Sequence, residues 1–178
     1  MLYPVQFYLL VGEVMQGLLE KEQLANIKSV SRIYCQLPEF DGAVAAGTYQ
    51  AEILGPAWLK LIAKLSLPFA GLPGWCGKRI DSEGAVNLCH ERGQVQERVT
   101  MLKSIQSSWL DGGTCMVLSY DRSAPFLLRP MRDEFRRIDE STLLGLSIYN
   151  VSGIKRIPLP FLLRKVENLS QLQKLKDA

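Results

Sequence analysis

The chain has 178 residues, 47% of them hydrophobic and 22% charged, with a formal net charge of +3 and a pI near 8.7. That is the length and composition of one globular domain with a full core, and it excludes a disordered chain. Lys and Arg are interspersed with Asp and Glu, so there is no basic footprint for nucleic acid.

Four cysteines, Cys35, Cys76, Cys89 and Cys115, lack the paired spacing of zinc ribbons or dithiol redox motifs. His90 is the single histidine, so no metal site and no cofactor is expected. Reduced, mostly buried thiols in a cytoplasmic protein are the expectation.

In chain order, apolar residues at Val5, Tyr8, Leu9, Val11, Met15, Leu18 and Leu19 form a helical stripe from Pro4 to about Leu24. The run Val5 to Val11 lacks a preceding positive charge and is too short to cross a bilayer, so neither a signal peptide nor a membrane span is expected. A second helix is predicted from Asn26 to Leu37, with Pro38 as its stop. Residues 1–46 are thus a helical segment packed on the main body.

From Thr48 to Leu54, Tyr49, Ala51 and Ile53 alternate with Gln50 and Glu52, the pattern of a half-buried strand. Gly55-Pro56 breaks it and opens an apolar helix to Ala70, with Pro68 and the Gly71 to Gly74 punctuation ending it.

A meander follows: Trp75 to Asp81, Val86 to Glu91, Val95 to Gln106, Cys115 to Tyr120, Asp133 to Ile138, Leu143 to Tyr149 and Ile154 to Lys165. Asp111-Gly112-Gly113 is the best hairpin signal. Pro158 and Pro160 predict a last strand that is broken, bulged or at an edge. The tail, residues 167–178, is polar, with Leu169, Leu172 and Leu175 spaced as in a frayed helix.

This order predicts a mainly β fold for residues 47–166. It is an antiparallel barrel of about eight to ten strands, with N-terminal helices outside and the Gly55 to Ala70 helix near one mouth. An open, bent sheet around a helix is the alternative.

Chemistry concentrates in two places. In Arg132-Asp133-Glu134-Phe135-Arg136-Arg137, alternation sets Arg132, Glu134 and Arg136 on one face and Asp133, Phe135 and Arg137 on the other. Facing inward, Arg132 and Glu134 would orient a ligand's polar head; facing outward, they form a solvated cross-strand face, which is the usual case. In Trp75-Cys76-Gly77-Lys78-Arg79, alternation puts Trp75 with Arg79 and Lys78 with Ile80. Asn87 stands in an otherwise apolar strand, the mark of a buried polar group with a partner. Cys89 and His90 are adjacent and point to opposite faces, which removes a direct thiol–imidazole pair.

The strings Gly47-Thr-Tyr-Gln-Ala-Glu, Gly55-Pro-Ala-Trp-Leu-Lys-Leu, Gly74-Trp-Cys-Gly-Lys-Arg-Ile-Asp, Val86-Asn87-Leu88, Leu110-Asp111-Gly112 and Arg132-Asp-Glu-Phe-Arg resemble an uncharacterised bacterial family of small proteins. The strand–helix–meander order over Gly47 to Val166 also resembles the lipocalin and fatty-acid-binding-protein (calycin-like) superfamily. The Gly-x-Trp signature is replaced by Gly47-Thr48-Tyr49. That resemblance implies a barrel holding an apolar ligand; the implication is one of architecture.

The leading expectation is binding of a small hydrophobic or amphipathic molecule, fatty-acid- or lipid-like, with Trp58, Trp75, Lys78, Tyr120, Arg132 and Glu134 as ligand-binding candidates. A second is proton-transfer catalysis (isomerase, cyclase or decarboxylase) in the same cavity, with Glu134 or Asp133 as acid/base and Arg132 or Tyr120 stabilising charge. A third is a structural or interaction protein with a filled barrel, in which Val5 to Val11 covers the barrel or forms a homodimer surface.

Overall fold

The computed structural model describes residues 24–42, 44, 46–150, 158–169 and 172. Helix α1 spans Ile27–Gln36 and helix α2 spans Ala57–Phe69. The strands are β1 Gly47–Ile53, β2 Trp75–Ile80, β3 Gly84–Glu91, β4 Gln94–Ser107, β5 Thr114–Ser119, β6 Met131–Arg137, β7 Thr142–Tyr149 and β8 Pro158–Val166. Each pairs antiparallel with the next, and β8 pairs back onto β1, closing an eight-stranded up-and-down barrel. The expected helix before Leu24, the start of the last predicted strand at 154–157 and most of the tail lie outside the described residues.

Closure corrects the expectation for β8, which is neither broken nor an edge. The Pro160 carbonyl accepts from Leu54 N at 2.9 Å on the β1 side, and the ladder with β1 ends at the Ile53–Phe161 pair. The missing proline N–H therefore falls where that ladder has run out. Pro68 does not end α2 either; the helix continues through it to Phe69.

Helix α1 covers the outside of the barrel. Asn26 caps it, its side-chain oxygen accepting from Lys28 N at 2.9 Å. Val30, Ile33, Tyr34 and Leu37 fall on one face at helical spacing and bury against Leu144, Leu146 and Ile148 of β7 and Leu162 of β8. Each such aliphatic side chain contributes about 1.5–3 kcal/mol on burial. Helix α2 differs: Leu59 is its one fully buried residue, and Trp58, Leu61, Ile62, Leu65 and Phe69 are each more than half exposed.

The barrel interior is filled at one end. Tyr49, Ile80, Met101, Met116, Phe135 and Leu163 pack there, and Phe40 from the linker before β1 packs against them. The linker is held by Phe40 N donating to Thr114 O at 3.0 Å. Gly145 of β7 makes room for two rings: Phe135 and Phe161 meet edge to face at 5.5 Å, and a Cβ on Gly145 would come within 2.6 Å of Phe161 and 2.8 Å of Phe135.

Candidate functional site

Two bulges shape the other end of the barrel. In β2, Trp75 pairs with Cys89 and Gly77 with Leu88, so Cys76 is an extra residue. Strict alternation would put Trp75 and Lys78 on opposite faces; the bulge turns both inward, a correction to the sequence pattern. Arg79 points outward and pairs with Glu97. In β4, Thr100 pairs with Val86 and Arg98 with Asn87, leaving Val99 as the extra residue at φ 48°. A β-branched residue there costs about 1–3 kcal/mol. The strained turn aims the Val99 carbonyl at Asn87, whose Nδ2 donates to it at 3.0 Å.

Around these bulges a polar cluster spans the barrel. The Lys78 ammonium is 2.9 Å from Asp133 Oδ2, with the two side chains 1% and 3% exposed. β2 and β6 are four strands apart in the eight-stranded ring, so the pair bridges its opposite sides. Lys78 also donates to Asn87 Oδ1 at 2.7 Å and faces Met101 Sδ at 3.1 Å. The same Asn87 oxygen accepts from the Trp75 indole at 3.1 Å, and Asn87 Nδ2 also donates to the Tyr120 hydroxyl at 3.3 Å. Across the ring, the Ser147 hydroxyl donates to Asp133 Oδ1 at 2.5 Å. Asn87 sits directly opposite Lys78 in the β2–β3 ladder, and Ser147 opposite Asp133 in the β6–β7 ladder.

Above the cluster lies a chamber of about 490 Å³ between α2 and the barrel mouth. Its walls are mainly apolar, with Leu59, Ala63 and Leu67 from α2 and Leu127 and Leu128 from the β5–β6 connection. Trp75 and Phe161, edge to face at 5.5 Å, separate it from the filled end. The volume falls within the roughly 300–1,000 Å³ typical of small-molecule pockets. Burial, and then the nearby Asp133, push the Tyr120 hydroxyl well above the usual tyrosine range, so it keeps its proton.

Of the six candidates, Trp58, Trp75, Lys78 and Tyr120 line this chamber; Arg132 and Glu134 do not. Both β6 side chains point out of the barrel, yet they are buried rather than solvated, beneath the β4–β5 connection and α1. Glu134 pairs with Arg132 at 2.6 Å, accepts the Ser108 hydroxyl at 2.5 Å and accepts Trp109 N at 2.8 Å. The Arg132 guanidinium lies 4.0 Å over the Trp109 ring. Arg136 grips both oxygens of Asp111 at 2.7 and 2.8 Å and donates to Tyr34 O at 3.1 Å. The charged run thus clasps a turn and a helix to the barrel wall. Asp133, its inward neighbour, lines the chamber together with Asn87, Ser147, Tyr149 and Ser66, polar residues that were not among the six. Ser147 has the same signal as Asn87: a polar residue at an inward register position of an apolar strand.

Burial pushes the Cys89 thiol up to about 12 and the Cys76 and Cys115 thiols to about 11, which makes them poor nucleophiles. Among the described residues no three His, Cys, Asp or Glu side chains converge on a point that would hold a metal, and no helix is long and apolar enough to cross a membrane.

No protein-family model matches the chain, and no curated protein matches it. It is similar to a crystal structure of a protein from Thermomonospora curvata, with 22% sequence identity and a TM-score of 0.55, over 79% of this chain and 87% of that one. At that identity the likeness concerns the fold alone. The closed eight-stranded meander is consistent with a calycin-like architecture.

Proposed function

We propose that this protein binds a small, largely hydrocarbon molecule in the chamber between α2 and the barrel mouth. The observation that carries the reading is the contrast between the two ends of one barrel. Side chains fill the end around Tyr49 and Phe135, whereas about 490 Å³ stays open above the Lys78–Asp133 pair. Apolar walls with a few fixed polar groups are the usual make-up of a ligand site, the walls supplying affinity and the polar groups orientation. Four free cysteines, two of them fully buried, accord with a reducing, cytoplasmic setting for this function.

Catalysis by proton transfer has less support. Glu134 is outside the chamber, and Asp133 has one oxygen on Lys78 and the other on Ser147. A carboxylate held in this way is placed for structure rather than for taking a proton.

The test is native mass spectrometry of gently purified protein together with titration of a polarity-sensitive apolar dye. The expected result is a co-purifying small molecule or saturable dye binding, abolished by Ala63→Trp, which fills the chamber from α2. A ligand-free protein that leaves the dye unbound, or dye binding untouched by Ala63→Trp, would overturn the reading.

A further inference from the structure

The polar cluster at the base of the chamber limits what its occupant can be, through a count of hydrogens. A lysine ammonium has three N–H donors and no acceptor. Those of Lys78 face Asn87 Oδ1, Asp133 Oδ2 and Met101 Sδ. Both Asn87 amide hydrogens are spent, on Val99 O and the Tyr120 oxygen. The Trp75 indole hydrogen goes to Asn87, the Ser147 hydroxyl hydrogen to Asp133, and the Tyr149 hydroxyl hydrogen to Leu127 O at 3.0 Å. Tyr120 alone differs within the cluster: its oxygen accepts from Asn87, and its own O–H hydrogen has no acceptor among the described residues. Trp58 and Ser66 come from α2 at the rim, where Trp58 is more than half exposed.

Charge is equally spent. Lys78 and Asp133 neutralise each other, so a carboxylate or an ammonium entering the chamber would lose its water and find no counterion. An ion buried without a partner costs several kcal/mol. The unspent Tyr120 hydrogen, by contrast, suits one neutral acceptor atom at the base of the chamber, and leaving that acceptor unpaired would forgo a bond worth about 1 kcal/mol.

We propose that the occupant is an uncharged, mostly hydrocarbon molecule carrying a hydrogen-bond acceptor, such as a ketone or ester carbonyl, which Tyr120 holds by donating its hydroxyl hydrogen. The ligand is thereby distinguished from a free fatty acid. This inference rests on the binding function proposed above.

The test compares three probes of nearly equal size by quenching of tryptophan fluorescence at pH 8: methyl nonyl ketone, decanoate and undecane. The ketone is expected to bind at least about tenfold more tightly than decanoate, the penalty of an unpartnered charge. Tyr120→Phe should weaken the ketone about fivefold, one hydrogen bond's worth, and leave undecane unchanged. Decanoate binding as tightly as the ketone would overturn the assignment of a neutral ligand while leaving the binding function standing. Equal affinity of undecane and the ketone, or a Tyr120→Phe variant that weakens both alike, would overturn the role of Tyr120. Failure of all three probes, with Ala63→Trp also without effect on the dye, would remove the binding function itself and this inference with it.

Discussion

Lys78 and Asp133 meet at 2.9 Å inside the barrel from strands on opposite sides of the ring, each almost completely removed from solvent. An ion pair so placed is costly to desolvate, and it is retained by good geometry and by the hydrogen bonds of Asn87 and Ser147 to its two ends. Breaking one partner strands the other as a buried charge. Lys78→Met alone is expected to cost about 3–5 kcal/mol, and the double variant Lys78→Met/Asp133→Leu to recover most of it. Urea denaturation of the four members of the cycle measures this. A double variant as unstable as the sum of the two singles would show that the pair is not the coupled unit described here.

The clasp on the outer wall gives acid sensitivity of a definite sign. Burial raises the Asp111 carboxyl, but the Arg136 guanidinium and the Gly113 N–H outweigh it, and the group is held below the usual carboxylate range. Its folded pKa lies beneath its unfolded one, so the stabilisation is fully present above about pH 4 and is lost as pH falls through the folded value. The stability gap between the native sequence and Asp111→Asn should therefore be widest near neutral pH and shrink as the pH is lowered toward 3. Denaturation series at several pH values read this directly. A gap constant across the range would mean that Asp111 contributes by its shape in the turn and not by its charge.

Gly145 tests the packing of the filled end. Its place between Phe135 and Phe161 leaves no volume for a methyl group, so Gly145→Ala should cost about 1–3 kcal/mol through displaced rings. Phe161 also lines the chamber, so the same substitution should alter dye binding. Thermal unfolding and the dye titration together check this. An unchanged melting temperature would show that the rings have room the geometry does not reveal.

Periodicity determined the elements of this protein. Two-residue alternation at Tyr49, Ala51 and Ile53, the 3.6-residue stripe of Val30, Ile33 and Leu37, and the Asp111-Gly112-Gly113 turn each act over a few neighbours, and Gly112 takes the positive φ of 82° that such a turn requires. A run of eight such strands, with one helix inserted after the first, also implied a barrel, because consecutive antiparallel strands pair with their neighbours. Asn87 was legible as a buried polar group, since an amide in an apolar strand needs a partner.

Tertiary structure alone decided which faces look inward and what they meet. A single extra residue at Cys76 reverses the alternation and brings Trp75 beside Lys78, and another at Val99 supplies a carbonyl for Asn87. Gly77, next to the first bulge, is the one local signal, since a glycine inside a strand marks a bulge or a close backbone approach, whereas no glycine or proline adjoins Val99 in the second. The charged run of β6 likewise resolved only in the fold. Its neighbours Asp133 and Glu134 go to opposite sides of one wall, and what awaits each comes from strands and turns distant in the chain: Lys78 for the first, Ser108 and Trp109 for the second. Side-chain direction is a property of two adjacent residues, whereas the partner that makes a carboxylate a ligand site or a clasp is set by ring closure between segments tens of residues apart.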